Sequence, residues 1–288
     1  MQIINNFTYT PWPNNWGKKT CIMGILNVTP DSFSDGGDFL SVDNAIEKTK
    51  EYISNGIDVI DIGAQSTRPG SFEVGSSEEI KRLIPVLKEI RTNFPTQLIS
   101  IDTFNSDVAY EALSCGANWI NDVTGGRRDI KILDIASDFN CPFVITHSRG
   151  NSQNMNQLSD YKNLINDIIS TLKDLTEKAL NKNIKEENII WDPGLGFSKD
   201  TKQNISILKN IFKFKDQGFP LLIGASRKRF IGEILNIDNP KDRDIGSLAI
   251  SCFCSHSNID IVRVHNAELN RQILKVSDAI YRKNNFIL

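Results

Sequence analysis

Two groups of side chains in this sequence carry the clearest chemistry. Arg68, Lys228, Arg263 and His265 supply positive charge and many donors. Such a set suits an anion, and a phosphate in particular, because guanidinium and ammonium groups bond its oxygens directly. Asp102, Asn121 and Asp192 supply acceptors and one amide. These suit a planar heterocycle with amino and ring N–H groups, since a carboxylate accepts paired hydrogen bonds from an aminopyrimidine edge. One ligand with a heterocycle at one end and phosphates at the other would satisfy both groups. The residues are scattered between positions 68 and 265, so the fold must gather them.

Eight short apolar runs recur along the chain: 21–27, 58–63, 98–103, 119–123, 142–147, 189–194, 220–226 and 260–265. Each is too short for a buried helix and rich in Val and Ile, so each reads as a strand buried on both faces. Stretches of helical character lie between them. Several end at a glycine, such as Gly56 and Gly116, and Ser77 reads as a cap ahead of Glu78, Glu79 and Ile80. Strand-then-helix repeated eight times predicts a parallel sheet with right-handed crossovers. The count and spacing favour an α/β fold of the (β/α)₈ TIM-barrel type, with a doubly wound open sheet as the alternative. The expected organisation is a short N-terminal extension over residues 1–20 and one barrel domain over 21–288. The extension could form a small hairpin over the barrel floor, with Trp12 and Trp16 as its packing residues.

In such a barrel the chemistry sits at the C-terminal ends of the strands. The unusual residues fall there. Strand 1 ends in Asn27 and strand 3 in Asp102. Strand 2 passes Asp61 into the loop of Arg68. Strand 4 carries Asn121 and Asp122, and strand 6 ends in Asp192. Strand 5 ends in His147, strand 7 delivers Lys228, and strand 8 delivers Arg263 and His265. A single strand-end Asp is more often a turn or cap residue. Eight strands converging polar groups on one rim require a ligand or an internal ring of salt bridges.

Composition excludes several other classes. The 288 residues are 40% hydrophobic and 24% charged, with a formal net charge of −2. Nothing in that balance suggests a nucleic-acid or membrane partner. No apolar run approaches the ~20 residues of a membrane span, and the N-terminus lacks the order of a signal peptide. A cytoplasmic protein is expected. Cys252 and Cys254 could be half a metal site, but without a second pair they read as two small buried side chains.

Several segments then resemble one family. MGILNVTPDSFSDGG at 23–37 and STRPG at 66–70 look like the two signatures of the dihydropteroate synthases. SIDTFNSDVAYEAL, WINDVTGG, IIWDPGLGF, PLLIGASRKRFIG and IVRVH match further family blocks in order, so the resemblance covers about residues 21 to 282. It implies a (β/α)₈ barrel. It also implies a reaction joining 6-hydroxymethyl-7,8-dihydropterin pyrophosphate to p-aminobenzoate, giving 7,8-dihydropteroate and pyrophosphate for folate. Magnesium, sensitivity to sulfonamides and a homodimer built through helices late in the chain belong to the same implication.

Position by position, Asn27 resembles the family's magnesium-linked asparagine. Asp102, Asn121, Asp192 and Lys228 resemble the pterin pocket. Arg263 and His265 resemble the pyrophosphate site, with Thr67 also touching that substrate. Phe33, Arg68, Pro69 and Ser71 lie on two loops that shape the p-aminobenzoate site, and the substrate carboxylate would sit near Arg229. The implied mechanism loses pyrophosphate first, and the aniline nitrogen then attacks the delocalised cation. Loops carrying Asp35 and Arg68 would exclude water. Gln65, Asn266, Thr146 and Ser247 depart from the family pattern. His147 reads as a structural histidine, His256 as a surface or interface residue, and Asp61 as a support for its neighbours. Two other functions compete: a pterin-dependent methyltransferase, which shares the barrel and the Asp/Asn/Asp pocket, and a homologue that binds pterin without turnover.

Overall fold

A computed structural model describes residues 10–29, 42–66 and 70–282 of the chain. Its strands are β1 (Cys21–Asn27), β2 (Val59–Gly63), β3 (Leu98–Asp102), β4 (Trp119–Asp122), β5 (Phe143–Thr146), β6 (Ile189–Asp192), β7 (Leu222–Ile223) and β8 (Ile261–Val264). The helices are α1 (Val42–Ser54), α2 (Ser76–Asn93), α3 (Ser106–Ser114), α4 (Lys131–Asp138), α5 (Leu164–Asn181), α6 (Thr201–Lys209), α7 (Ile211–Lys215), α8 (Arg229–Leu235), α9 (Asp244–His256) and α10 (Ala267–Tyr281). All strand pairings are parallel, in the order β6-β5-β4-β3-β2-β1-β8-β7. A bridge between Trp191 and Leu221 joins the two ends, and Trp191 N–H donates to Pro220 O at 2.8 Å. The ring is thus a (β/α)₈ barrel rather than an open sheet.

Every expected strand is present within three residues at either end, the largest difference being β7, which stops at Ile223 rather than at 226. The local expectations met two exceptions. Gly75 precedes the first turn of α2, and Ser77 lies inside that turn without capping through its side chain. Cys254 is fully buried as expected, but Cys252 is only half-buried and bonds Ser277 Oγ at 3.3 Å. Elsewhere the caps are conventional. Asp200 and Gln203 form a reciprocal capping box on α6, and Asn266 Oδ1 accepts from Leu269 N–H at the start of α10.

The period of two along a strand sorts the barrel interior into layers. Cys21, Met23, Val59, Trp119, Val144, Ile190, Leu222 and Ile261 meet as an apolar cluster at the floor. Two residues further along the same strands stand Asp61, Asn121, Thr146, Asp192 and Arg263. The outward faces pack against the helices as the main core. Trp12 and Trp16 close the floor. Their rings lie 5.2 and 6.2 Å from that of Trp119, both edge-on, and Trp119 Nε1–H donates to Pro11 O. Residues 10–20 are turns, with no strand among them, so this part of the extension is an indole plug and not a hairpin. No helix among the described residues is long and apolar enough to cross a membrane.

The plug generates a prediction. Trp119 is wholly buried, so Trp119→Ala should lower unfolding stability by about 3–5 kcal/mol in a urea titration. A loss below about 1 kcal/mol would mean that the floor does not depend on this ring.

Candidate active site

The parity of the strands places Arg263 at the centre of the upper layer. Its Nε donates to Asp61 Oδ2 at 2.6 Å, and its terminal nitrogen donates to Asp102 Oδ2 at 2.6 Å. Asn121 Nδ2 donates to the same Asp61 oxygen at 2.9 Å. One arginine therefore ties together β2, β3 and β8, and Asn121 adds β4. Burial pushes the Asp102 carboxyl up from the usual range, while Arg263 pulls it back. Burial alone would lower the Arg263 value, but Asp61 and Asp102 together hold the guanidinium above its ordinary value. The two short ion pairs offset part of the cost of burying these charges. Asp61 thus supports its neighbours, as the sequence suggests.

Gly63 and Gly224 leave room around these groups. A methyl built on Gly63 would touch both Asn27 Oδ1, at 3.5 Å, and Asp102 Oδ2, at 3.6 Å. One on Gly224 would lie 3.9 Å from Arg263 Cβ and 4.0 Å from Asp192 Oδ2. Asn27, Asp102, Asp192 and Arg263 accordingly share one mouth. Asp61 Oδ1, Ser100 Oγ, Thr146 Oγ1 and His147 Nε2 are buried with no hydrogen-bond partner among the described residues. Buried polar atoms are nearly always bonded, so such a concentration marks a place built for a polar guest.

The β6–β7 side completes the mouth. Asp192 Oδ1 accepts from Gly194 N–H at 2.7 Å. Burial raises its carboxyl, and Lys228 is the strongest opposing influence. Lys228 bonds Leu195 O, and its ammonium lies 4.4 Å from the Phe197 ring centroid. Burial lowers the Lys228 value to about 8, with Asp192 opposing. His265 Nδ1 lies 3.0 Å from Ser226 Oγ, which also accepts from His265 N–H at 3.2 Å. Lys228 and Arg263 thus bring positive charge beside Asp192 and Asp102, and His265 follows β8, held to Ser226.

The remaining candidates separate. Phe33, Asp35, Thr67, Arg68 and Pro69 lie outside the described residues. Ser71 Oγ donates to Ser66 O at 2.7 Å, and Ser71 O accepts from Ser152 Oγ and Gln153 Nε2, both at 2.7 Å. The loop after β2 is therefore docked on the loop after β5. An open cavity of about 50 Å³ lies between them, lined by Gln65, Phe104, Val123, Arg149, Met155 and Phe197 among others. Arg229 begins α8, but its side chain is 63% exposed and pairs with Glu233 at 3.2 Å, away from the cluster. His147 is fully buried and Lys199 Nζ lies 3.0 Å from its Nδ1, in keeping with a structural histidine. His256 is exposed on α9.

Sequence reasoning assigned no role to Phe197 or Lys199. Both stand in the glycine-rich turn after Asp192, where a lysine looks like an ordinary solvated residue. The one available signal was a lysine seven positions after a strand-end carboxylate in an otherwise small and apolar segment. The four departures from the family pattern have local accounts in three cases. Gln65 Oε1 accepts from Val74 N–H at 2.9 Å. Asn266 Nδ2 donates to Asp244 Oδ2 at 3.0 Å. Ser247 Oγ accepts from Arg227 N–H and donates to Arg243 O, both at 2.9 Å. Nothing in the structure explains Thr146, whose hydroxyl is one of the orphaned atoms.

Comparison with known proteins agrees with this geometry. The profile of the family described as pterin binding enzyme matches residues 23–265. The dihydropteroate synthase of Synechocystis sp. is 44% identical over 268 residues, covering 93% of this chain and 92% of that protein. The crystal structure of a Clostridium difficile dihydropteroate synthase in the presence of pteroic acid superposes with a TM-score of 0.87 at 42% identity, covering 93% of this chain and 99% of that one. A Xanthomonas albilineans dihydropteroate synthase in complex with 7,8-dihydropteroate gives 0.83 at 31% identity, covering 92% and 94%. With both signatures, the barrel and the shared mouth in place, the chain belongs to the pterin-binding enzymes and, among them, to the dihydropteroate synthases, transferases of folate synthesis.

Proposed function

We propose that this mouth binds 6-hydroxymethyl-7,8-dihydropterin pyrophosphate and p-aminobenzoate and joins them into 7,8-dihydropteroate, releasing pyrophosphate. The observation that carries the reading is the contiguity of two unlike subsites. A carboxylate-and-amide cradle (Asp102, Asn121, Asp192) abuts a cationic rim (Lys228, Arg263, His265) across Gly224. Asp102, Asn121 and Asp192 accept and donate at the pterin edge. The carboxylates of Asp102 and Asp192 favour the cation left when the C9–O bond breaks. Arg263, His265 and Thr67 hold the departing pyrophosphate. Lys228 turns its ammonium to the pterin and its stem to the second substrate. Phe33, Pro69, Ser71 and Arg229 shape the p-aminobenzoate site, and the segments of Asp35 and Arg68 exclude water from the cation. The aniline nitrogen then forms the new C–N bond and loses its proton to solvent or to the released pyrophosphate.

Asn27 fits a magnesium ion that arrives with the diphosphate. Its amide oxygen faces the mouth beside Asp102, and no group of three or more His, Cys, Asp or Glu among the described residues could hold a metal alone. Magnesium prefers oxygen donors and keeps several waters, so one protein carbonyl plus phosphate oxygens is a suitable set. When bound, it would neutralise charge on the leaving group.

We further read residues 1–20 as an extension serving the barrel domain at 21–288. The chain is expected to pair as a homodimer through α9 and α10, where Ile245, Val276 and Ile280 are exposed apolar residues. Five unpaired cysteines suit a reducing compartment such as the cytoplasm.

Pyrophosphate release measured with both substrates and magnesium tests the reaction. Release that requires p-aminobenzoate supports it. Pterin binding without release would favour the non-catalytic alternative, and methyl transfer would favour the methyltransferase. Lys228→Ala should lower kcat/KM by about 100-fold or more with stability nearly unchanged. Arg263→Ala should lose activity and also about 3–5 kcal/mol of stability, because Asp61 and Asp102 would remain buried without their partner; near-normal turnover in both variants would refute the site. The pH profile supplies a third expectation. A free-enzyme lysine with a value near 8 is charged below that pH and neutral above it. The kcat/KM should therefore fall as pH rises through about 8, and Lys228→Arg should move that fall upward. Lastly, chelation should slow turnover and added magnesium should restore it. Asn27→Ala should need more magnesium for half-maximal rate, and an unchanged requirement would remove Asn27 from the metal site.

A further inference from the structure

Lysine is almost never buried without a paired charge. Lys199 is 5% exposed, and among the described residues its ammonium bonds no carboxylate. Its Nζ lies 3.0 Å from His147 Nδ1 and donates to Gly194 O and Phe197 O, each at 2.9 Å. A longer contact reaches His147 O at 3.3 Å. The three carbonyls can only accept. Burial pushes the His147 value down to about 2, so its ring is neutral. Gly194 O and Phe197 O each take a hydrogen from Lys199 Nζ, and both forms of the lysine, ammonium or amine, can bond His147 Nδ1 by a change of ring tautomer. Burial lowers the Lys199 value, while nearby Asp192 raises it.

The turn that Lys199 grips is the one on which Asp192 and Lys228 rest. Gly194 has a φ of +70° and donates its N–H to the Asp192 carboxylate. A methyl on Gly194 would lie 1.9 Å from His147 O, so only glycine fits under the brace. Gly196 carries the Lys228 stem: a methyl there would lie 2.9 Å from Lys228 Cδ. Phe197 presents its ring to the Lys228 ammonium. One face of the turn thus meets Lys199, and the other meets two groups of the mouth.

We propose that Lys199 is a positioning residue for the reaction: from the buried side of the Gly194–Phe197 turn its hydrogen bonds fix Asp192 and Lys228 in the geometry that receives the pterin. The inference rests on the synthase reading of the mouth. It deepens that reading without placing Lys199 against substrate.

Two variants test it. Lys199→Met keeps the length of the stem but removes the donors, and Lys199→Arg keeps donors to the turn. Steady-state rates with both substrates would be recorded across a pH series, with circular dichroism to verify folding. Lys199→Met should lower kcat/KM for the pterin pyrophosphate by about 100-fold. It should also move the alkaline limb of the profile to higher pH, since a turn without its brace would admit water to Lys228 and relieve the burial that lowers its value. Lys199→Arg should leave that limb in place. A lysine that only stiffens the fold would depress activity without moving the limb. Wild-type kcat/KM in Lys199→Met, or a lowered value with an unmoved limb, overturns the proposal. Should Lys199→Met fail to fold, His147→Ala carries the test, because it removes one partner of Lys199 and leaves the lysine its bonds to the turn. Its kcat/KM should fall with the limb unmoved, and wild-type kcat/KM there also overturns the proposal. The unmodified protein separates the two levels. Absence of pyrophosphate release by it defeats the synthase reading, whereas an active wild type with an indifferent Lys199→Met defeats this inference alone.

Discussion

Arg263 is surrounded by negative charge inside a barrel whose floor is wholly apolar, and its two short ion pairs decide much of the upper layer. Removing either carboxylate would leave a buried guanidinium half-compensated, and removing the arginine would leave two carboxylates facing one another. The doubled pair lets β2, β3 and β8 present charge within one enclosed space. It also orients Asn121 indirectly, because the Asp61 oxygen that Arg263 holds is the one that Asn121 bonds. The polar layer is therefore a network, in which each group owes its direction to the next.

The network explains why unlike subsites can adjoin. In water, carboxylates a few ångströms from a pyrophosphate would repel it. Here the guanidinium stands between, with one edge given to Asp61 and Asp102. Lys228 repeats the arrangement beside Asp192 on a smaller scale, cushioned by the ring of Phe197. Glycines 63, 196 and 224 keep the intervening space clear of side chains. Such preorganised charge is the largest contribution most enzymes make to a step that separates an anion from a cation.

Much of this was legible in the sequence, for a definite reason. Most of the strands are short apolar runs closed by a polar residue, so strand ends could be located to within three residues and Asp102, Asn121, Asp192 and Arg263 could be placed on one rim. The inward face was harder to read. A strand buried on both sides shows little alternation, and only Asp61, Ser100, Asn121 and Arg263 interrupt theirs. Lys199 escaped because a lysine in a glycine-rich turn looks solvated until the tertiary fold encloses it. The cap of α2 slipped because Gly75 and Ser77 both suit the start of a helix, and local chemistry alone could not choose between them. The indole plug rests on contacts more than a hundred residues apart in the chain, such as Pro11 with Trp119, and no local pattern encodes those.

That plug has a consequence for traffic. A cylinder stoppered at its base by three indoles has a single doorway, at the strand ends. Whatever enters deepest must arrive first, and whatever lies above it must depart before it can follow. The stacking of guests along one axis thereby becomes an itinerary: the order of arrival and exit is written into the shape of the vessel and needs no separate timing device.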